Sequence, residues 1–215
     1  VNDGMIAIWL LTMGCILYTT GWQQQVADGL PKWRSAVMLA GIVMLHRFTV
    51  PVVGMPWVSI RASALWMLGC AIIVLIALVA DRSSLQAVFI VLCGLLSGAV
   101  WLWLRFMYES DPVFVLLRPE LDGPLLAGFL AGMLTEKFSM HLAVVVFAAC
   151  IAPFTDLLMP GGGAGGAVLI GDASWWDGFT VALVGARLTW NIKAGIRLAA
   201  RWLGEGRSGE PGGHI

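Results

Sequence analysis

The chain has 215 residues and no formal net charge, thirteen Lys and Arg balancing thirteen Asp and Glu. Hydrophobic residues make up 59%, charged residues only 12%, and the mean hydropathy is +0.86, which excludes an ordinary soluble domain and leaves a membrane protein. With no charge bias there is no long-range field to draw in nucleic acid or a strongly acidic partner.

Continuous apolar runs, rather than ten-residue alternating segments, exclude a transmembrane barrel. The expected fold is all-α, a polytopic transmembrane helical bundle of about seven spans. Residues 1–204 form a single integral-membrane domain in this reading, and 205–215 a flexible cytoplasmic tail. Cys15, Cys70, Cys93 and Cys150 each fall in a separate apolar run, which fits buried small hydrophobes and neither a disulfide framework nor a metal cluster. Val1 fits a GTG start codon, and ten arginines against three lysines fit a GC-rich bacterial genome.

In chain order, residues 4–22 give the first span, with no basic segment before it of the kind that opens a cleavable signal peptide. Residues 23–34 are a polar loop with Lys32 and Arg34, edged by Trp22 and Trp33. Residues 35–54 are read as the second span, although His46, Arg47 and Pro51 interrupt it. Ala62–Ala80 is the cleanest span, and 85–104 pairs with it as a helical hairpin. Asp122, Gly123 and Pro124 then mark a helix start.

Residues 121–159 are nearly all apolar yet too many for one crossing, since a hydrocarbon core of ~30 Å takes about 20 helical residues. Glu136 and Lys137 break this run, as a turn or a relay, giving a short span over 124–135 and a full one over 139–158. The alternative is six spans plus a re-entrant half-span at 124–135. A glycine-rich loop follows, in which Gly161, Gly163 and Gly166 make a GxGxxG without the strand and helix a dinucleotide site needs. Residues 178–190 make the last crossing. Seven crossings with the N-terminus outside place eight basic residues inside (Lys32, Arg34, Arg82, Lys137, Lys193, Arg197, Arg201, Arg207) against Arg61, Arg105 and Arg118 outside.

His46 and Arg47, with Asp156 as a possible counter-charge, are the candidate intramembrane polar centre, because a charge at mid-span costs about 2.5–3.5 kcal/mol on insertion scales and needs a partner or cavity. Snorkelling of Arg47 beside a Pro51 kink is the structural alternative. His141 reads as a packing histidine and Arg187 as a snorkelling residue near the inner end of its span. Lys193, Arg197 and Arg201 recur every four residues on a basic amphipathic helix suited to an anionic leaflet. Two GxxxG pairs, Gly94 with Gly98 and Gly128 with Gly132, predict close helix packing. No catalytic, metal or cofactor motif is present in the sequence.

In size, in its N-terminal span, in the His46-Arg47 segment and in the Glu136-Lys137 interruption, the chain resembles the YphA-type membrane proteins of endospore-forming Firmicutes. The resemblance implies a multi-pass inner-membrane protein linked to sporulation or envelope assembly, and carries over no functional residue. Taken together, the sequence leads to an expectation of a non-enzymatic bacterial cytoplasmic-membrane protein. Its partners would be the lipid bilayer, with anionic lipids at the C-terminal helix, and a membrane-protein partner or a second copy of the chain. The alternative functions are a small-solute transporter using His46 and Arg47, and a lipid-modifying enzyme drawing on His141 and Glu136.

Overall fold

The computed structural model describes residues 2–52, 55–81, 84–110, 115, 117–155 and 168–207, and among these the chain is mostly helical. The helices are α1 (Met5–Thr19), α2 (Gln23–Ala27), α3 (Lys32–Leu45), α4 (Ala62–Ala80), α5 (Ser84–Ser110), α6 (Pro119–Leu134), α7 (Phe138–Ile151) and α8 (Ala173–Arg207). A 3-10 turn, Ala152–Phe154, extends α7, and three short strands, β1 (Thr49–Val52), β2 (Met55–Arg61) and β3 (Val168–Ile170), make one sheet. Helix α4 and most of α5 (Ser84–Tyr108) are long and apolar enough to cross a membrane, while Met5–Thr19 and Phe138–Phe154 are apolar but shorter.

Side-chain size sorts this bundle more clearly than polarity does. Ala71, Ala127, Ala131, Ala143, Ala149, Ala182 and Ala186 are wholly enclosed, whereas Val43, Met44, Ile73, Leu85 and Ile196 point outward. In water that arrangement would leave the largest apolar groups solvated. Among lipid tails it carries no such penalty, and helix association depends instead on how closely backbones approach.

Both GxxxG pairs lie at such approaches. A Cβ on Gly128 would sit 2.1 Å from the Ala182 carbonyl oxygen, and one on Gly132 would sit 2.4 Å from that of Ala186, so α6 and α8 meet backbone to backbone. Gly94 and Gly98 likewise admit Phe147 and Ile151 of α7 against α5. In each pair the numbering rises together, so the two helices run parallel. Gly123 and Gly178 make room for the Trp101 ring, which α5 wedges between α6 and α8.

Three sequence expectations are corrected. First, the helix expected over 35–54 ends at Leu45, and β1 and β2 follow as an antiparallel hairpin, with Thr49 opposite Arg61 and Pro51 opposite Ser59. Proline disfavours helix at the residue before it, and the β-branched Thr49, Val50 and Val52 favour strand; Pro51 is tolerated because β1 is the edge of the sheet. Strand β3 pairs with β2 in parallel, Val58 opposite Val168, so an all-α fold acquires a small sheet tying this hairpin to the segment that leads into α8. Second, α6 starts at Pro119, about one turn before Asp122. Asp122 accepts hydrogen bonds from the Tyr108 hydroxyl (3.0 Å) and from the Leu117 and Arg118 amides, fixing the approach to the helix. Third, the last helix begins at Ala173, before the expected 178, and runs unbroken for 35 residues to Arg207, so the crossing and the basic stretch expected to continue it are one helix.

The helix ends gather into two groups. The sheet and the starts of α1, α6 and α8 lie at one end of the bundle; α2 and the 135–137 turn lie at the other, against the middle of α8. The start of α1 is capped from a distance: the Asp177 carboxylate on α8 accepts the Gly4 amide at 2.7 Å and the Ala7 amide at 2.6 Å. Gly4 itself has φ +86°, a left-handed conformation that glycine adopts without strain.

Gly128→Val should lower the stability of the purified protein by about 3 kcal/mol, because the added atoms meet backbone that cannot rotate away. Gly14→Ala, which enters open space, should leave the thermal midpoint in detergent unchanged.

Candidate functional site

Two buried ionisable side chains, His141 and Arg187, meet at the end of the bundle formed by α2 and the 135–137 turn. Arg187, on α8, has a side chain only 8% exposed. Thr180 and Leu183, at i−7 and i−4 on the same helix face, are buried and half-buried, so Arg187 turns inward and does not snorkel outward. Its Nη2 lies 2.9 Å from Asp28 Oδ1 and donates to the Gln25 carbonyl at 2.6 Å; Nε donates to that same carbonyl at 3.0 Å. Nη2 also lies 3.2 Å from the Gln24 carbonyl, and the guanidinium stacks near the Trp190 and Phe138 rings at 4.5 and 5.8 Å.

Each partner closes a helix end. Asp28 follows α2 with φ 51°, a left-handed position that Asp adopts more readily than most residues, and its Oδ2 accepts the Phe138 amide at the start of α7. One carboxylate thus ends α2, caps α7 and neutralises Arg187. His141, fully buried in the first turn of α7, donates from Nε2 to the Thr135 carbonyl at 3.1 Å, while its Nδ1 faces Arg187 Nη1 at 3.5 Å. That geometry fits the neutral Nε2–H tautomer, with Nδ1 as the acceptor. The end of α6 is satisfied in the same way: Thr135 Oγ1 donates to the Ala131 carbonyl at 2.7 Å, and Lys193 Nζ donates to the carbonyls of Gly132 and Met133 at 3.2 and 3.0 Å.

The expected polar centre is arranged differently. His46 Nε2 lies 3.2 Å from Arg61 Nη1, so its neighbour is a cation on β2, and Arg47 is exposed with no ion pair among the described residues. Asp156 and the GxGxxG glycines lie outside the described residues. Glu136 and Lys137 are exposed between α6 and α7, and Glu136 pairs with Arg197 at 3.1 Å. Of the three α8 residues expected to meet anionic lipid, Lys193 and Arg197 reach toward the end of α6, and Arg201 is exposed. No group of three or more His, Cys, Asp or Glu that could hold a metal occurs among the described residues. Sequence reasoning missed Asp28, one of several polar residues in a loop.

Arg187→Met should destabilise the protein by about 3 kcal/mol, since it removes the counter-charge of Asp28 and the donor to the α2 carbonyls. Asp28→Asn, which keeps the backbone conformation and one acceptor, should cost about half as much. A double-mutant cycle on the two, read by thermal unfolding in detergent, should return a coupling of at least about 1 kcal/mol.

No curated protein and no solved structure matches the chain. The sequence profile of the YphA-like integral membrane proteins matches residues 3–210, nearly its whole length. A bundle with small residues inside, large apolar residues outside and its buried charge closed upon itself is what that description requires, and the chain belongs to the YphA-like integral membrane protein family.

Proposed function

We propose that this is a non-enzymatic protein of the bacterial cytoplasmic membrane, accessory to sporulation or envelope assembly, that acts by packing against other membrane components. The observation that carries the reading is the closure of the Arg187 cluster. Three helix ends and three ionisable side chains satisfy one another there, which suits a structural clamp and leaves little for a substrate to engage. The broad outward apolar surface offers the area for lateral association.

In this reading the chain crosses seven times, with the N-terminus outside and the C-terminus in the cytoplasm. Support comes from which ends meet. Four helices, α4 to α7, separate the β1–β2 hairpin from β3, and four, α3 to α6, separate α2 from the 135–137 turn; an even number of crossings between each pair fits the hydrogen bonds that join them. A single continuous α6 of 16 residues, about 24 Å long, favours a full crossing over a half-span. The basic residues of α8 then lie toward the anionic inner leaflet, with Lys193, Arg197 and Arg201 as its lipid contacts.

The test is a chromosomal deletion complemented with the intact gene, with Gly128→Val, or with a His46→Ala/Arg47→Ala double variant, scored for heat-resistant spores and vegetative growth. The double variant should restore the wild-type phenotype and Gly128→Val should not. A double variant made at normal level that fails like the deletion would overturn this reading and make His46 and Arg47 a working transport site. Crossing number is checked separately by single cysteines in an otherwise cysteine-free chain. A cysteine at Glu136 should react with an impermeant maleimide only from the cytoplasmic side, and one at Thr49 only from outside.

A further inference from the structure

Beside the Arg187 cluster is an open cavity of about 480 Å³ between the α2–α3 connection, the start of α7 and α8. Its wall is apolar, from Leu30, Phe138 and Trp190, and its rim carries Lys137, Arg197 and Glu136. This is the layout of a site for an amphipathic anion: an apolar body against the wall and a charged head at the rim. Charge complementarity sets the sign. The charged side chains lining the cavity are the cations Lys137 and Arg197 and the carboxylates Asp28 and Glu136. Asp28 is committed to Arg187 and Lys193 to the carbonyls ending α6, which leaves two lining cations, Lys137 and Arg197, facing one carboxylate, Glu136.

The rim can also open to a ligand. The Arg197–Glu136 pair is a surface contact, with side chains 47% and 67% exposed, and pairs of that kind contribute little stability. A phosphate group can therefore displace Glu136 from Arg197 at small cost, whereas it cannot displace Asp28 from the buried Arg187. Lys137, exposed at the N-terminal boundary of α7, supplies the second cation of the rim.

We propose that this cavity seats the headgroup of one anionic phospholipid, its phosphate held between Lys137 and Arg197 and its glycerol and upper chains lying along Trp190, Phe138 and Leu30. The proposal rests on the reading above that this end of the bundle meets the membrane surface, and narrows the lipid contact from a stripe along α8 to a pocket that α7 helps to build. Glu136 is then a built-in competitor that sets the affinity.

The experiment is native mass spectrometry of the full chain in detergent, supplied with phosphatidylglycerol or phosphatidylcholine at equal concentration. One phosphatidylglycerol should be retained with a preference of about ten-fold, and Lys137→Gln/Arg197→Gln should abolish the preference. Glu136→Gln, which frees Arg197 and cannot act through misfolding, should strengthen retention several-fold. Arg201→Gln should behave as wild type, and millimolar inorganic phosphate should not displace the lipid. Equal retention of the two lipids, or weaker retention in Glu136→Gln, would overturn the proposal. So would a loss confined to Arg201→Gln, which would return the contact to the stripe on α8, or displacement by inorganic phosphate, which would make the cavity a soluble-anion site. The complementation by His46→Ala/Arg47→Ala does not involve these residues, so either reading can fail while the other stands.

Discussion

A backbone donor or acceptor with no partner is more costly in a lipid-embedded bundle than in water, and the close of each helix exposes several. The Asp28–Arg187 pair answers this constraint for much of the molecule. Through it the carbonyls ending α2 find donors, the amide opening α7 finds an acceptor, and the buried guanidinium finds its counter-charge. His141 extends the network to the end of α6 by binding the Thr135 carbonyl. Removing any member would strand groups on two or three helices at once, which is why these side chains can be enclosed where an isolated charge could not.

Everything else can then be held by shape. Small residues let α6 lie against α8 and α5 against α7 with their backbones nearly touching, so dispersion and geometry, rather than expulsion of water, set the arrangement of the core. At the opposite end Asp177 caps α1 and the three strands tie the hairpin to the approach of α8. Helix α8 is common to both ends. Its first turns hold α1, its middle carries Arg187, and its later turns reach the end of α6 through Lys193.

Much of this architecture was legible in the sequence because it follows from local composition. Apolar runs located α1, α4, α5 and α7, and the glycine spacings located two of the tightest helix contacts. What could not be read depends on partners distant in sequence. His46 and Arg47 stood out because they interrupt an apolar run, yet that helix stops before them and His46 lies beside Arg61. Asp28 gave no such contrast, since polar residues surround it in its loop, and its weight comes from an arginine 159 positions later. The sheet was hidden for the same reason: β3 is three residues long and acquires its meaning only from β2.

The distant cap on α1 has a bearing on biogenesis. Gly4 and Asp177 are 173 residues apart, and Asp28 and Arg187 nearly as far, so the first helix made is completed by the last. At ordinary translation speeds of about 5–20 residues per second, α1 and α2 wait roughly 9–35 s in or beside the membrane before α8 emerges. During that interval their open ends must be sheltered by the insertion machinery or by headgroup water. The final helix therefore works as a closing key: a ribosome that stalls before α8 leaves a set of helices that are inserted but not yet locked, a state open to membrane proteases.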